Sequence, residues 1–168
     1  EPEREATLDE IAAYCRRTGA YFNNQAANPA NPEAHYRTTG PEIWQDTEGH
    51  VDILVCMAGT GGTGFGTASY LRSRNPNLQV VLVQPHPDSR LTPEHPDAQI
   101  IDGVLPAYDV PESALSDYLR PDWSDACINV RTEEAYETAH EVLRAEGLFL
   151  GTSAPPPDNR QQCGTVPP

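Results

Sequence analysis

The sequence contains no lysine. Eleven of its 168 residues are basic, and all eleven are arginine. This absence excludes a P-loop, because the lysine of G-x-x-x-x-G-K-[ST] is the residue that reaches the phosphates. It also means that no side chain of this sequence is an amine that forms a Schiff base with a carbonyl compound.

Positive charge is scarce in general. Twenty-five acidic residues against eleven arginines give a formal net charge of -14. Such an acidic chain repels both the phosphate backbone of nucleic acids and anionic lipid headgroups. No apolar run approaches the roughly 20 residues that a membrane span requires. We therefore expect neither a nucleic-acid partner nor a membrane partner.

Several other motifs are missing. The four cysteines form no C-x-x-C pair, which argues against a zinc or redox motif. The five histidines show neither H-E-x-x-H nor any i, i+4 pair, so we expect no metal site. There is no G-x-S-x-G elbow of a hydrolase. No secretory apolar segment opens the sequence, and we expect a cytoplasmic location.

Hydrophobic patterning predicts an α/β fold with a mostly parallel sheet flanked by helices in three layers. Apolar strands are expected at 52–57, 78–83 and 126–130, with a helix from the end of a glycine-rich loop to Arg74. This strand–helix–strand order is a βαβ unit, which requires parallel strands. A second helix is expected at 132–145, capped by Thr132 and ended by Gly147. Further elements are expected as a helix at 6–18, a helix within 33–46, and short strands at 20–22 and 148–150.

Two regions differ in composition. Residues 1–153 carry the periodic pattern and are expected to form one partial domain. Residues 154–168 read APPPDNRQQCGTVPP and are rich in proline. Such a segment cannot bury enough apolar surface to order itself, so we expect a disordered tail.

The loop Gly59–Gly64 reads G-T-G-G-T-G between a predicted strand and a predicted helix. Such a loop lets backbone amides approach phosphate oxygens at a helix N-terminus. One interpretation is dinucleotide binding, but the acid expected about 20 residues further on is replaced by Gln84-Pro85-His86. Another is a different phosphate ligand. A third is a tight turn that only allows close packing of helix and sheet.

Two longer segments narrow these possibilities. The run Gln25–Trp44 reads QAANPANPEAHYRTTGPEIW, and Ala58–Thr63 follows it as AGTGGT. Together they resemble the cysteine synthase family of pyridoxal-phosphate enzymes, which includes O-acetylserine sulfhydrylase and cystathionine β-synthase. Residues 6–153 resemble the large C-terminal domain of that family.

The resemblance implies roles for particular residues. The 5′-phosphate of pyridoxal phosphate would be held by Gly59, Thr60, Gly61, Gly62 and Thr63. Ser153 would contact the pyridine nitrogen of the cofactor. Gln25 would help to hold the carboxylate of a small amino-acid substrate, and Gly103 would lie near the active site. No catalytic residue and no metal ligand is assigned.

The family's Schiff-base lysine belongs to its N-terminal domain, which this sequence lacks. We therefore expect a homodimeric parent enzyme that converts O-acetylserine and sulfide to cysteine, and a chain that is inactive alone. Cystathionine β-synthase or serine/threonine dehydratase activity is an alternative. A non-catalytic module that binds a phosphate ligand or a subunit is another, and a dinucleotide-dependent oxidoreductase is the weakest. The segment Gly103–Pro106 departs from the family's Gly-Ile-Gly, which indicates a different substrate choice.

Overall fold

The computed structural model describes residues 2–111, 115–151, 153 and 162–163. In chain order its elements are helices α1 (Pro2–Thr18), α2 (Ala30–Arg37) and α3 (Thr39–Asp46), strand β1 (Ile53–Met57), helix α4 (Gly62–Arg74), strands β2 (Gln79–Pro85) and β3 (Ala126–Val130), helix α5 (Thr132–Glu146) and strand β4 (Gln162–Cys163). Single 3₁₀ turns lie at Pro87–Ser89 and Pro121–Trp123.

The sheet has the order β1-β2-β3-β4. The first three strands are parallel, with Cys56 opposite Leu82 and Leu82 opposite Cys127. Helix α4 connects β1 to β2, so the predicted βαβ unit is confirmed. The two-residue strand β4 runs antiparallel to β3.

Successive side chains of β2 point to opposite faces of the sheet, and both faces are buried. Val80 and Leu82 pack into a core that includes Ala68 and Leu71 of α4. Val83 faces the opposite way, into a second core with Val130 and Ala135, the latter on α5. The sheet therefore lies between helices, and the expected α/β fold in three layers is confirmed.

Two predicted strands are absent from the described residues. Tyr21 and Phe22 are 83% and 43% exposed, and Phe149 is 89% exposed. A strand needs a neighbour for its backbone groups, and no sheet edge meets these segments. The free edge of β3 is covered instead by Gln162 and Cys163. The proline-rich tail predicted from residue 154 otherwise lies outside the described residues.

The predicted cap of α5 was also wrong. Arg131 occupies the N-cap position, and the carboxylate of Glu134 accepts a hydrogen bond from its backbone amide at 3.0 Å. Thr132 instead donates its hydroxyl to the carbonyl of Gln99 at 2.6 Å. The C-terminal prediction was correct, because Gly147 ends the helix with φ 70°.

Gln84 links the carboxyl end of β2 to β3 and to the segment at residues 107–108 by side-chain hydrogen bonds. It is fully buried, its Oε1 accepts from the amides of Ala107 and Tyr108, both at 2.9 Å, and its Nε2 donates to Asn129 at 2.8 Å. We expect Gln84→Leu to cost about 2–4 kcal/mol, since two amides lose their acceptor at roughly 1–3 kcal/mol each. Urea denaturation would measure it against Gln79→Leu, an exposed site at the start of the same strand. Equal effects of the two substitutions would contradict this role.

None of the helices in the described part of the chain combines the length and the apolarity that a membrane span needs.

Candidate functional site

The glycine-rich loop joins β1 to α4 and is pressed against two other segments. Gly61 precedes α4 with φ 85°, a left-handed conformation that favours glycine. A Cβ atom there would clash with the carbonyl of Tyr118 and lie 2.8 Å from the amide nitrogen of Leu119. A Cβ atom on Gly59 would lie 2.6 Å from the carbonyl oxygen of Gly103. The loop backbone at Gly59 and Gly61 therefore lies so close to the backbone of neighbouring segments that no residue with a Cβ atom would fit there.

The loop ends at the N-terminus of a thirteen-residue helix. The first amides of a helix have no intrahelical acceptor, and the helix dipole adds partial positive charge at that end. Two threonine hydroxyls, those of Thr60 and Thr63, lie on the same loop. Amides and hydroxyls together form a donor set that suits a phosphate group.

Thr60 connects the loop to the segment before α2. Its Oγ1 accepts from the Nε2 of Gln25 at 3.3 Å and from the Nδ2 of Asn31 at 3.1 Å. Asn31 also donates to the carbonyl of Gln25 at 3.0 Å, and Ser116 donates its hydroxyl to the carbonyl of Thr60. The structure thus places Gln25 beside the loop, as the sequence-based hypothesis requires.

Thr63 takes part in a chain of hydrogen bonds through His35. The Nε2 of His35 lies 3.0 Å from the Oγ1 of Thr63, and its Nδ1 lies 2.9 Å from the Oγ1 of Thr39. The imidazole therefore fixes the position of the Thr63 hydroxyl on the loop. Because one ring nitrogen carries the proton in neutral imidazole, the tautomer decides which hydroxyl donates.

Gly103 and Ser153 have different relations to the loop. Gly103 has φ 78° and its carbonyl faces Gly59, while the amide of Leu105 donates to the carbonyl of Ala58 at 2.8 Å. Ser153 is exposed, and the described contacts do not connect it with the loop. Its role at the pyridine nitrogen stays a prediction.

Sequence reasoning missed three residues that support the loop. Asn31 and His35 lie within the segment that carried the family resemblance, so the motif itself was the available signal. Ser116 lies 56 residues from the residue that it contacts. No local pattern marks such a partner.

The remaining titratable groups at the carboxyl end of the sheet form a separate cluster. Asp88 accepts a hydrogen bond from Arg131, which lowers the pKa of that carboxyl below its usual value. His86 lies beside both, with its Nδ1 3.5 Å from Asp88.

Burial raises the pKa of the Cys56 thiol to about 11, so this cysteine stays protonated and unreactive. Among the described residues, no cluster of histidine, cysteine and carboxylate side chains has the makings of a metal site.

The dinucleotide interpretation has no support in the structure. Its ribose-binding acid would lie at the carboxyl end of β2, where Gln84 is fully buried and hydrogen bonded to Asn129, Ala107 and Tyr108. A side chain so engaged cannot reach a ligand at the loop.

Comparison with known proteins identifies the family to which the chain belongs. The model of the pyridoxal-phosphate dependent enzyme family matches residues 1–155. The chain belongs to this family. Its members depend on pyridoxal 5′-phosphate, and a loop of amides and hydroxyls at a helix N-terminus fits the phosphate of that cofactor.

Relatives within the family are named cysteine synthase or cystathionine beta-synthase. The chain is 37% identical to cysteine synthase 3 of Caenorhabditis elegans over 139 residues, covering 80% of this chain and 38% of that protein. It is 34% identical to the O-acetylserine dependent cystathionine beta-synthase of Bacillus subtilis (strain 168), covering 80% of this chain and 42% of the other. The chain thus spans about two fifths of the length of these relatives.

A solved structure agrees with the sequence relatives. The O-acetyl serine sulfhydrylase isoform 3 of Entamoeba histolytica superposes with a TM-score of 0.68 at 28% identity, covering 88% of this chain and 42% of that one. The resemblance to the cysteine synthase family, first seen in two sequence segments, is therefore confirmed.

Proposed function

We propose that this chain forms the phosphate-binding part of a pyridoxal-phosphate site of the cysteine synthase type. The reaction would replace the β-substituent of O-acetylserine with a sulfur nucleophile. The observation that carries the proposal is the convergence of Gln25, Asn31 and Ser116 on Thr60, at the N-terminus of α4. Such a set of bonds immobilises the loop before a phosphate arrives, which reduces the entropy cost of binding.

Each group has a task in this scheme. The amides of Gly62 and Thr63 and the hydroxyl of Thr63 would hold the phosphate. Gln25 would orient the carboxylate of the amino-acid substrate, since its side chain already lies at the loop. When bound, pyridoxal phosphate supplies an electron sink for chemistry at the β-carbon of that substrate.

Covalent attachment of the cofactor requires an amine side chain that this sequence lacks. The chain contains no lysine, and its arginines remain protonated. We propose that the family's lysine comes from a polypeptide segment outside this sequence, and that the chain alone binds the cofactor without turning over substrate. The homodimer and the cytoplasmic location also stay proposals.

Titration of the chain with pyridoxal phosphate tests this function. Fluorescence of Trp44 and Trp123 and absorbance of the cofactor would be followed together. Saturable binding that dialysis reverses would support the proposal, since no lysine is present to hold the cofactor covalently. Absence of saturable binding would contradict it and would favour a purely structural turn. Pyridoxal without its phosphate is the matched ligand control and should bind far more weakly.

Substitutions at the hydrogen-bond chain should lower cofactor affinity in a graded way. Thr63→Ala removes one hydroxyl bond to a charged phosphate and should raise the Kd by about 10- to 100-fold. His35→Ala leaves that hydroxyl in place but no longer fixed, and should raise the Kd by about 3- to 10-fold. The same titration measures both effects. His50→Ala, at an exposed position, is the control and should leave the Kd unchanged. A larger effect from His35→Ala than from Thr63→Ala would contradict the assigned roles.

A further inference from the structure

A cavity at the carboxyl end of β2 contains a charged side chain that the proposed function does not use. The cavity has a volume of about 260 Å³ and lies between the segments 85–91 and 100–106. Arg90 is the charged residue of its lining. The larger apolar residues of the lining are Leu91, Ile100, Ile101, Val104, Leu105 and Pro106. All of these residues lie outside the two sequence segments that carried the family resemblance.

The guanidinium of Arg90 is held by uncharged groups. Its Nε donates to the carbonyl of Pro85 at 2.9 Å, and its Nη1 donates to the carbonyl of Tyr108 at 3.4 Å. Its Nη2 atom is buried and has no hydrogen-bond partner among the described residues. Within the same part of the chain, no carboxylate forms an ion pair with Arg90. Because arginine stays protonated, a partly buried positive charge is left without a counter-charge.

Such a group favours an anionic ligand, since hydrogen bonds between a guanidinium and a carboxylate are stronger than those between neutral groups. The Nη2 atom is not exposed, so a ligand oxygen reaches it only after the guanidinium turns. The bond from Nη1 to Tyr108 is long at 3.4 Å and offers little resistance to that turn. The net charge of -14 repels anions at a distance, but physiological salt screens this repulsion beyond about 8 Å.

The remaining walls of the cavity define the rest of the ligand. Its 260 Å³ correspond to roughly nine water molecules at about 30 Å³ each, more than a bare inorganic ion needs. Leu91 and Leu105 are 58% and 46% exposed, so a hydrocarbon group in the cavity would remove apolar surface from water. The hydroxyl of Ser89 already accepts from the amide of Thr132 at 3.0 Å. Arg90 is therefore the side chain that would bind a polar group of the ligand.

We propose that this cavity binds a small organic carboxylate with a short aliphatic body. The carboxylate lies against Arg90, and the hydrocarbon lies against Val104 and Leu105. The ligand is neither the cofactor nor a reactant, so the inference goes beyond the proposed function and does not rest on it. The amide of Leu105 donates to the carbonyl of Ala58 at 2.8 Å, at the start of the glycine-rich loop. A bound acid therefore stabilises a segment that supports this loop.

Methyl-detected NMR titration of the full chain at physiological ionic strength tests the proposal with three probes. Butyrate carries both the charge and the hydrocarbon, butyramide is uncharged and of the same size, and sulfate is anionic without a hydrocarbon. We expect butyrate to bind saturably, with a Kd at least about tenfold lower than that of either control probe. Methyl signals of Ile101, Val104 and Leu105 should shift. Equal affinity for butyramide or for sulfate would overturn the inference.

Variants locate the carboxylate. Arg90→Met removes the charge but keeps a long unbranched side chain, and should lower the affinity for butyrate to that for butyramide. Arg144→Met is the matched control, since Arg144 is exposed and lies outside the cavity. A preference for butyrate that survives in Arg90→Met would contradict the assignment. If that variant does not fold, Leu91→Trp narrows the cavity at an exposed position and should abolish the shifts caused by butyrate. Unchanged shifts in Leu91→Trp would also make the proposal wrong.

Pyridoxal phosphate distinguishes this cavity from the proposed cofactor site. Butyrate should still bind when the chain is saturated with pyridoxal phosphate. Displacement of butyrate by the cofactor would place the carboxylate in the cofactor site and overturn the inference. Absence of cofactor binding would contradict the proposed function alone, because the preference for butyrate over butyramide is measured without cofactor.

Discussion

Gly61→Ala should reduce the free energy of unfolding by about 2–5 kcal/mol and remove pyridoxal-phosphate binding. The residue has φ 85°, and forcing alanine into the left-handed region costs roughly 1–2 kcal/mol. The new Cβ would also meet the backbone of Tyr118 and Leu119, and relieving such an overlap costs about 1–3 kcal/mol. Urea denaturation measures the loss of stability, and the cofactor titration measures the loss of binding.

Gly147→Ala is the matched control for this experiment. Gly147 has φ 70°, yet a Cβ there would have no heavy atom within 4 Å. Its substitution should cost only the conformational part, about 1–2 kcal/mol, and leave cofactor affinity unchanged. Similar losses of stability in both variants would mean that the walls around Gly61 yield easily. The loop would then not be held by close backbone contact.

Trp123→Ala should cost about 3–5 kcal/mol, the range found for large aromatic side chains in protein cores. The ring is 6% exposed and meets Phe65 edge-to-face, with centroids 6.4 Å apart. Its Nε1 donates to the carbonyl of Tyr118 at 3.1 Å, and Tyr118 forms the wall beside Gly61. Removing the ring therefore loosens the segment that shapes the loop, and cofactor affinity should fall together with stability.

An exposed aromatic residue is the control for Trp123. Phe149 is 89% exposed, so Phe149→Ala should change the unfolding free energy by less than about 0.5 kcal/mol. Thermal melts of the two variants side by side would show the contrast. If Trp123→Ala melts like the unmodified chain, the tryptophan is not part of the core that supports the loop.

The fold was predictable where strands are buried on both faces. Leu82 and Val83 point to opposite cores, so β2 reads as a continuous apolar run bounded by turn residues. The segments 20–22 and 148–150 are also apolar, but they are not strands. A strand depends on a hydrogen-bonding neighbour elsewhere in the chain, and a local apolar run does not reveal one. The pairing of β3 with Gln162 and Cys163 has no sequence signal for the same reason.

The candidate site was predictable in its backbone and less so in its supports. The spacing of the glycines indicated the loop, because the chemistry of a close phosphate approach restricts residue type. The contact of Gln25 with Thr60 joins residues 35 positions apart and was accessible only through family resemblance. The carbonyl of Tyr118, which requires glycine at position 61, belongs to a loop without regular structure. A contact made by backbone atoms of an irregular loop cannot be predicted from the pattern of side chains in the sequence.

Strand order that follows chain order has a consequence for folding kinetics. Each parallel pair from β1 to β3 joins strands that are consecutive in the chain. Because the crossover between β1 and β2 is short, little loop-closure entropy opposes pairing of these two strands. The contacts that complete the glycine-rich loop come later, since Thr60 must meet both Gln25 and Ser116 from opposite directions along the chain. A refolding chain should therefore gain its β1–α4–β2 unit before it regains the ability to capture a phosphate.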